Sequence, residues 1–290
     1  MKTATGIQIV VVMLLWASCF PLVTIGIEYA PHLTFAAMRA TIAGVALLIL
    51  ALVMGQHFPR RLSTWSKISA VGIGSTSLGF FGMFHAAEFV SPGIATVIAS
   101  TQPLLAALLA RIVLKERLGH WSYFGLALGF VGIAAVASPE MLGSKTYVQG
   151  IAYIILAALG VTVGNVAMKS LADDVDALMG MGLQLLVGSV PLAFLAYFTE
   201  DIYSVQWSGE FVSSLVALSL FGTALVFWLW FSALKKTALS RANAFSFLVP
   251  VFGLTIAAIF FGETIGMIQA AGIALTLSGV SLVLGSRETT

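Results

Sequence analysis

Ten predominantly apolar stretches, separated by short polar connections, organise the chain: residues 7–27, 33–54, 68–87, 92–114, 121–137, 150–168, 177–198, 211–234, 242–261 and 267–284. Each approaches the length of about 20 residues that a helix needs to cross a hydrocarbon core of about 30 Å. The pattern predicts an all-α integral membrane protein of ten transmembrane helices. The first run is longer than a signal-peptide core and no small-residue cleavage site follows it, so it reads as a retained helix.

Composition agrees: 59% of residues are hydrophobic and 9% charged, with a mean hydropathy of +1.03, where soluble domains carry about 25% charged residues. Cys19 is the single cysteine, which excludes an internal disulfide and leaves cohesion to helix packing. The 28 glycines suit that role, because small residues let membrane helices approach closely.

Charge then orients the chain. With ten spans, the N-terminus, the even-numbered connections and the C-terminus share one side, which carries Lys2, Arg60, Arg61, Lys67, Arg111, Lys115, Arg117, Lys169, Lys235, Lys236, Arg241 and Arg287. Lys145 alone lies on the other side, and Arg39 lies within a span. The positive-inside rule places both termini in the cytoplasm, and the expected location is a bacterial inner membrane. The net charge of +2 is a topology signal and marks no nucleic-acid surface.

Residues 95–132 align without a gap on residues 242–279. Pro103 meets Pro250, Glu116 meets Glu263, and Gly119, Gly125 and Gly132 meet Gly266, Gly272 and Gly279. Phe84 and Ala86 match Phe231 and Ala233 at the same spacing, and Gly6 and Gly44 match Gly150 and Gly188 at a closely similar one. The expected organisation is a first repeat over 1–138, a connection over 139–148 on the periplasmic side and a second repeat over 149–290. Five helices per repeat is an odd number, so the halves enter the membrane from opposite faces. Inverted repeats that exchange conformations can open a central site to each side in turn.

The order Ser91-Pro92-Gly93-Ile94-Ala95, Thr101-Gln102-Pro103 and Leu114-Lys115-Glu116 is echoed by Gly222-Thr223-Ala224, Ala233-Leu234-Lys235-Lys236-Thr237, Val249-Pro250-Val251 and Phe261-Gly262-Glu263. In these segments the chain resembles the drug/metabolite transporter superfamily, of the ten-helix type with two EamA domains. The resemblance implies a central cavity lined mainly by helices one, three, four, six, eight and nine, supported by five and ten. It also implies transport of a metabolite, commonly export of amino acids, without naming the substrate.

Polar residues inside the spans are the site candidates, since a charged side chain at mid-membrane costs at least about 2.5–3.5 kcal/mol. Arg39 can form an ion pair with Glu28 or Glu88, snorkel to the outer headgroups, or hold a substrate carboxylate. His85 and Glu88 share a helical face at i, i+3, which suits either a proton relay or an ordinary interfacial hydrogen bond. Thr101 and Gln102 precede Pro103, and Asn243 and Ser246 precede Pro250; each proline frees a carbonyl one turn back, where ligand-binding groups are cheapest to expose.

Trp16, Phe20 and Pro21 sit with Ser18 in the middle of the first span, as a cavity wall or a lipid-facing surface. Asn165 and Gln184 are amides within spans six and seven, suited either to a ligand contact or to an interhelical hydrogen bond. Trp228 and Trp230 occupy a position suited to belt tryptophans, and the family likeness alone favours Trp228 and Phe231 as cavity residues. Lys169 reads as an interfacial anchor, and Glu116 and Glu263 read as helix caps.

All twelve acidic residues lie at or near membrane boundaries, which disfavours a cationic-drug exporter. A neutral or zwitterionic metabolite such as an amino acid fits better. The bilayer and one small solute are the expected partners, a monomer the expected unit, and no cofactor or metal spacing is present. A passive uniporter of the same fold is the alternative, and an enzyme is disfavoured because no nucleophile and base fall at a recognisable spacing.

Overall fold

The structure is a computed structural model and describes residues 3–99, 102, 105, 120–141, 145–237, 242, 244–262 and 264–285. Among these residues every regular element is helical. In chain order the α-helices are α1 Thr3–Ala17, α2 Cys19–Gly26, α3 His32–Val53, α4 Leu62–Val71, α5 Gly79–Ala86, α6 Pro92–Ala99 and α7 His120–Met141. They continue as α8 Lys145–Leu171, α9 Ala177–Thr199, α10 Gly209–Val216, α11 Val226–Lys236, α12 Leu248–Phe261 and α13 Met267–Gly285. Five continuous stretches among the described residues are long and apolar enough to cross a membrane: Ala4–Gly26, His32–Val53, Tyr147–Leu171, Ala177–Thr199 and Gly209–Lys236. Helices suit that setting because they satisfy their backbone groups internally.

Two of the apolar stretches change winding midway. The segment Gly72–Leu78 joins α4 to α5, and Ala217–Leu225 joins α10 to α11, both as π-helix. At the spacing of the proline pair, the first segment falls on residues 219–225, inside the second. Such segments occur often at functional sites, because the wider turn disturbs the regular ladder of backbone bonds. The first span is divided differently. Ser18 separates α1 from α2, three residues before Pro21, whose missing N–H leaves the Ala17 carbonyl without its usual donor.

Close helix crossings fall on glycines. A Cβ at Gly132 of α7 would lie 2.6 Å from the Gly272 carbonyl of α13, and one at Gly279 would lie 2.5 Å from the Gly125 carbonyl. The glycines repeated in the two halves of the sequence therefore meet at one crossing, where backbones approach more closely than any side chain permits. Between α3 and α9 the same occurs at Gly44 and Gly182. The first π-segment is wedged between two backbones, with Gly72 against the Gln184 carbonyl of α9 and Gly74 against the Gly160 carbonyl of α8.

Each described end of the bundle is tied by helix-terminal bonds. Glu200, just past α9, accepts from the backbone N–H groups of Leu33 and Thr34 and from the Thr34 hydroxyl, at 2.8, 2.8 and 2.9 Å, and so caps the start of α3. At the other end Lys67 pairs with Asp174 at 2.6 Å and donates to the Ser170 carbonyl, while Lys235 donates to the Val175 carbonyl. Lys169 donates to the Leu234 and Thr237 carbonyls at the end of α11, so it caps a neighbouring helix. Glu116 and Glu263 lie outside the described residues.

Candidate functional site

A cavity of about 140 Å³ lies among the helices. Trp16, Cys19 and Phe20 face it from the first stretch, Arg39 from α3, and Ser75, Phe80 and Met83 from the first π-segment and α5. The far wall is Ala157, Val161 and Asn165 of α8 with Phe227 and Trp230 of α11. Gln102, and Ser246 just before α12, complete it.

Arg39 is 2% exposed and has no acidic partner among the described residues. Its Nε donates to Thr223 Oγ1 at 2.7 Å and its Nη2 to the Gly222 carbonyl at 3.2 Å. The Cys19 sulfur lies 3.5 Å from Nη2. The guanidinium also rests 4.2 Å above the centre of the Phe80 ring and 5.7 Å from that of Phe84. Neutral acceptors and π-faces thus hold the cation without cancelling its charge. The remaining nitrogen, Nη1, is buried with no hydrogen-bond partner, and so is Ser75 Oγ on the same cavity. A buried donor without a partner costs about 1–3 kcal/mol, which a bound acceptor recovers.

The opposite wall is aromatic and already satisfied. The Trp16 and Trp230 rings lie 5.1 Å apart, and Trp230 donates its N–H to Asn165 Oδ1 at 3.1 Å. That bond satisfies the polar edge of the indole. Among the described residues no group of three or more His, Cys, Asp or Glu is placed to hold a metal ion.

Two stretches of the sequence, residues 4–138 and 148–285, match the EamA-like transporter family. The chain belongs to the EamA-like transporter family. The uncharacterized transporter YvbV of Bacillus subtilis (strain 168) is 28% identical, over 97% of this chain and 92% of its own. A probable amino-acid metabolite efflux pump of Salmonella typhimurium is 26% identical, over 99% of this chain and 97% of its own. A solved crystal structure resembles the fold with a TM-score of 0.72 at 21% identity, over 98% of this chain and 99% of that one.

In this EamA-like transporter the cavity brings together Trp16, Phe20, Arg39, Gln102, Asn165 and Ser246 of the sequence-predicted residues. Pro250 is buried near the start of α12, one turn beyond Ser246, and Pro21 is buried in α2. Thr101, Pro103 and Asn243 lie outside the described residues.

Other candidates fall away from this cavity. His85, Trp228 and Phe231 do not border the cavity. Trp228 is 37% exposed, because a step of two residues from Trp230 turns about 200° around the helix. Trp230, expected in an interfacial belt, is instead 1% exposed and central. Phe231 is buried elsewhere, with the Lys235 ammonium 5.3 Å from its ring. His85 stacks on His32 and Phe81, and Glu88 approaches His32 at 3.7 Å in place of His85. Neither Glu28 nor Glu88 reaches Arg39. Gln184 is an interhelical residue, accepting from Thr76 at 2.8 Å.

Sequence reasoning also missed Cys19, Ser75, Phe80 and Phe227. The run Gly72-Ile73-Gly74-Ser75-Thr76-Ser77 carried a signal, since small and hydroxyl residues in an apolar span mark a close or irregular passage.

Proposed function

We propose that this transporter exports a small organic solute, an amino acid or a closely related compound, by alternating access between two inverted halves of five spans each. The observation that carries the reading is Arg39 Nη1, a buried cationic donor without a partner, on a residue that lines a largely aromatic and apolar cavity. A guanidinium nitrogen in that state suits a carboxylate acceptor, and the Trp16 and Trp230 faces suit an apolar body. Size supports a small solute: an apolar cavity of about 150 Å³ holds benzene, and drug-sized ligands need several times more space.

Support for inverted halves comes from helix partners. The first stretch packs on α11 as α8 packs on α5, while α3 packs on α9, α6 on α12 and α7 on α13. Exchanging the two halves maps this scheme onto itself. The charge asymmetry of the sequence supports cytoplasmic termini, and the bacterial relatives support an inner-membrane location. A monomer, enclosing its own cavity, is the proposed unit.

A passive facilitator of the same solutes is the second reading, favoured by a described cavity wall that carries no carboxylate to exchange protons. Purified protein in proteoliposomes, loaded with single labelled amino acids and related carboxylates, tests both. Export predicts protein-dependent efflux that a pH gradient drives above equilibrium. Efflux that only equilibrates the solute at every pH gradient selects the facilitator, and failure to move any carboxylate-bearing solute removes the reading.

A further inference from the structure

The two unpartnered donors have a consequence for which carboxylates the site accepts. Ser75 lines the cavity from the first π-segment, with its buried Oγ set against Gly164 of α8, where any Cβ would collide with that hydroxyl. Its neighbour Thr76 is engaged with Gln184, and Ser77 donates to the Gly188 carbonyl at 2.7 Å. Ser75 alone of the three hydroxyls has no partner. Arg39 spends Nε and Nη2 on neutral oxygens and keeps Nη1 free. The site therefore offers one ionic and one neutral donor, and its own charge remains uncompensated.

The rest of the described wall offers an ammonium group no counter-charge. It carries no acidic side chain. The Asn165 oxygen already accepts one hydrogen bond, from the Trp230 N–H, the Phe80 face is occupied by the guanidinium itself, and the Trp16 and Trp230 rings offer a cation only a neutral π-face. A monocarboxylate entering this space brings the local charge to zero. A zwitterion leaves it at one positive charge, with its ammonium desolvated close to a guanidinium. Burying a charge without a counter-charge is strongly unfavourable, and like charges in a low-dielectric site repel further.

We propose that Arg39 and Ser75 form the carboxylate end of the site, and that the site selects small branched or aromatic monocarboxylates whose α-amino group is absent, oxidised to a keto group or capped, over the corresponding zwitterionic amino acids. This rests on the carboxylate-binding reading given above and narrows its solute, among amino acids and related compounds, to the related acids that lack a free ammonium. It assigns Ser75 a role in orienting one carboxylate oxygen while Arg39 Nη1 takes the other. The apolar remainder lies against Trp16, Phe20 and Trp230.

Isothermal titration of the full chain in lipid nanodiscs tests this with matched probes: 3-methyl-2-oxobutanoate, 3-methylbutanoate, valine and 2-methylpropan-1-amine. The keto acid and valine have the same number of heavy atoms, so size cannot separate them. We expect both amine-free carboxylates to bind at least tenfold more tightly than valine, and the amine not to bind. Valine binding as tightly as the keto acid overturns the selection and leaves the carboxylate reading intact. No binding by any of the three carboxylates overturns both.

Two variants assign the residues. Ser75→Ala is expected to weaken both amine-free carboxylates threefold or more, and unchanged affinity removes Ser75 from the site. Arg39→Gln is expected to abolish the preference for carboxylates, whereas Arg39→Lys, which keeps the charge, is expected to retain the order of the four probes with weaker binding. If Arg39→Gln does not give folded protein, the wild-type series and Arg39→Lys decide the matter. A changed order of probes in Arg39→Lys counts against the assignment.

Discussion

Arg39 Nε donates to Thr223 Oγ1 over 2.7 Å, joining α3 to the second π-segment. Thr223 falls on Thr76 at the spacing of the repeated prolines, and Thr76 of the first π-segment bonds Gln184 of α9 at 2.8 Å. Each π-segment thus presents a threonine to a polar residue from a helix of the other half of the chain. In both pairs one nitrogen of the longer side chain, Arg39 Nη1 or Gln184 Nε2, stays without a partner. Only the arginine faces the cavity.

Replacing Thr223 by Val keeps the side-chain shape and removes both the acceptor for Arg39 and the donor to the Leu218 carbonyl. A neutral donor left unsatisfied in a buried site costs about 1–3 kcal/mol and a charged one more, so a loss at or above the top of that range is expected. Thermal unfolding in detergent should show a lower midpoint for Thr223→Val than for Thr76→Val, whose partner is neutral. Equal midpoints would mean that the arginine relaxes to another acceptor.

The two tryptophans of α11 should separate sharply. Trp230→Phe retains a ring against Trp16 but loses the N–H that fixes Asn165, so transport in proteoliposomes should fall about tenfold, equivalent to about 1.4 kcal/mol. The amount of folded protein should change little. Trp228→Phe, on a surface 37% exposed, should transport as the parent does.

Gly132→Ala tests the crossing of α7 with α13. The added methyl would meet the Thr276 backbone nitrogen at 2.5 Å, so the helices must part or the variant must fail to assemble. A cost of about 1–3 kcal/mol is expected from overpacking, read as reduced monodisperse protein on size-exclusion chromatography and a lower unfolding temperature. Gly209→Ala, where nothing lies within 4 Å, serves as the neutral control.

Glu200 caps α3 from a distance of many residues in sequence. Glu200→Gln keeps one acceptor oxygen and loses the charge that complements the helix N-terminus, with an expected cost of about 1 kcal/mol. The unfolding midpoint should drop while the affinity of the cavity for its ligands stays the same, because Glu200 does not border it. A change in affinity alone would contradict a purely capping role.

The helical class was legible from hydropathy because membrane-spanning segments must bury apolar surface continuously along their length. The glycines at 125, 132, 272 and 279 were also legible, as a repeat, although their shared reason is a single crossing that joins the two copies. Trp16, Phe20, Arg39, Asn165 and Gln102 could be picked as polar or aromatic residues in costly positions. Separating Trp230 from Trp228 required the face each one occupies, and hydropathy around a helix buried on several sides carries almost no such signal.

His85 shows the limit most clearly. From local spacing it belonged with Glu88, yet the folded chain sets His32 between them, a residue from α3 that no periodicity connects to α5. The chain by itself determined that apolar segments become helices, that charges gather at their ends and that glycines and prolines repeat, because these follow from transfer energies and backbone sterics acting on neighbours in sequence. Tertiary structure alone decided that Arg39 would find Thr223 and that Ser75 would be left free, because the bonding of a buried polar group depends on which distant atoms packing brings within about 3 Å of it.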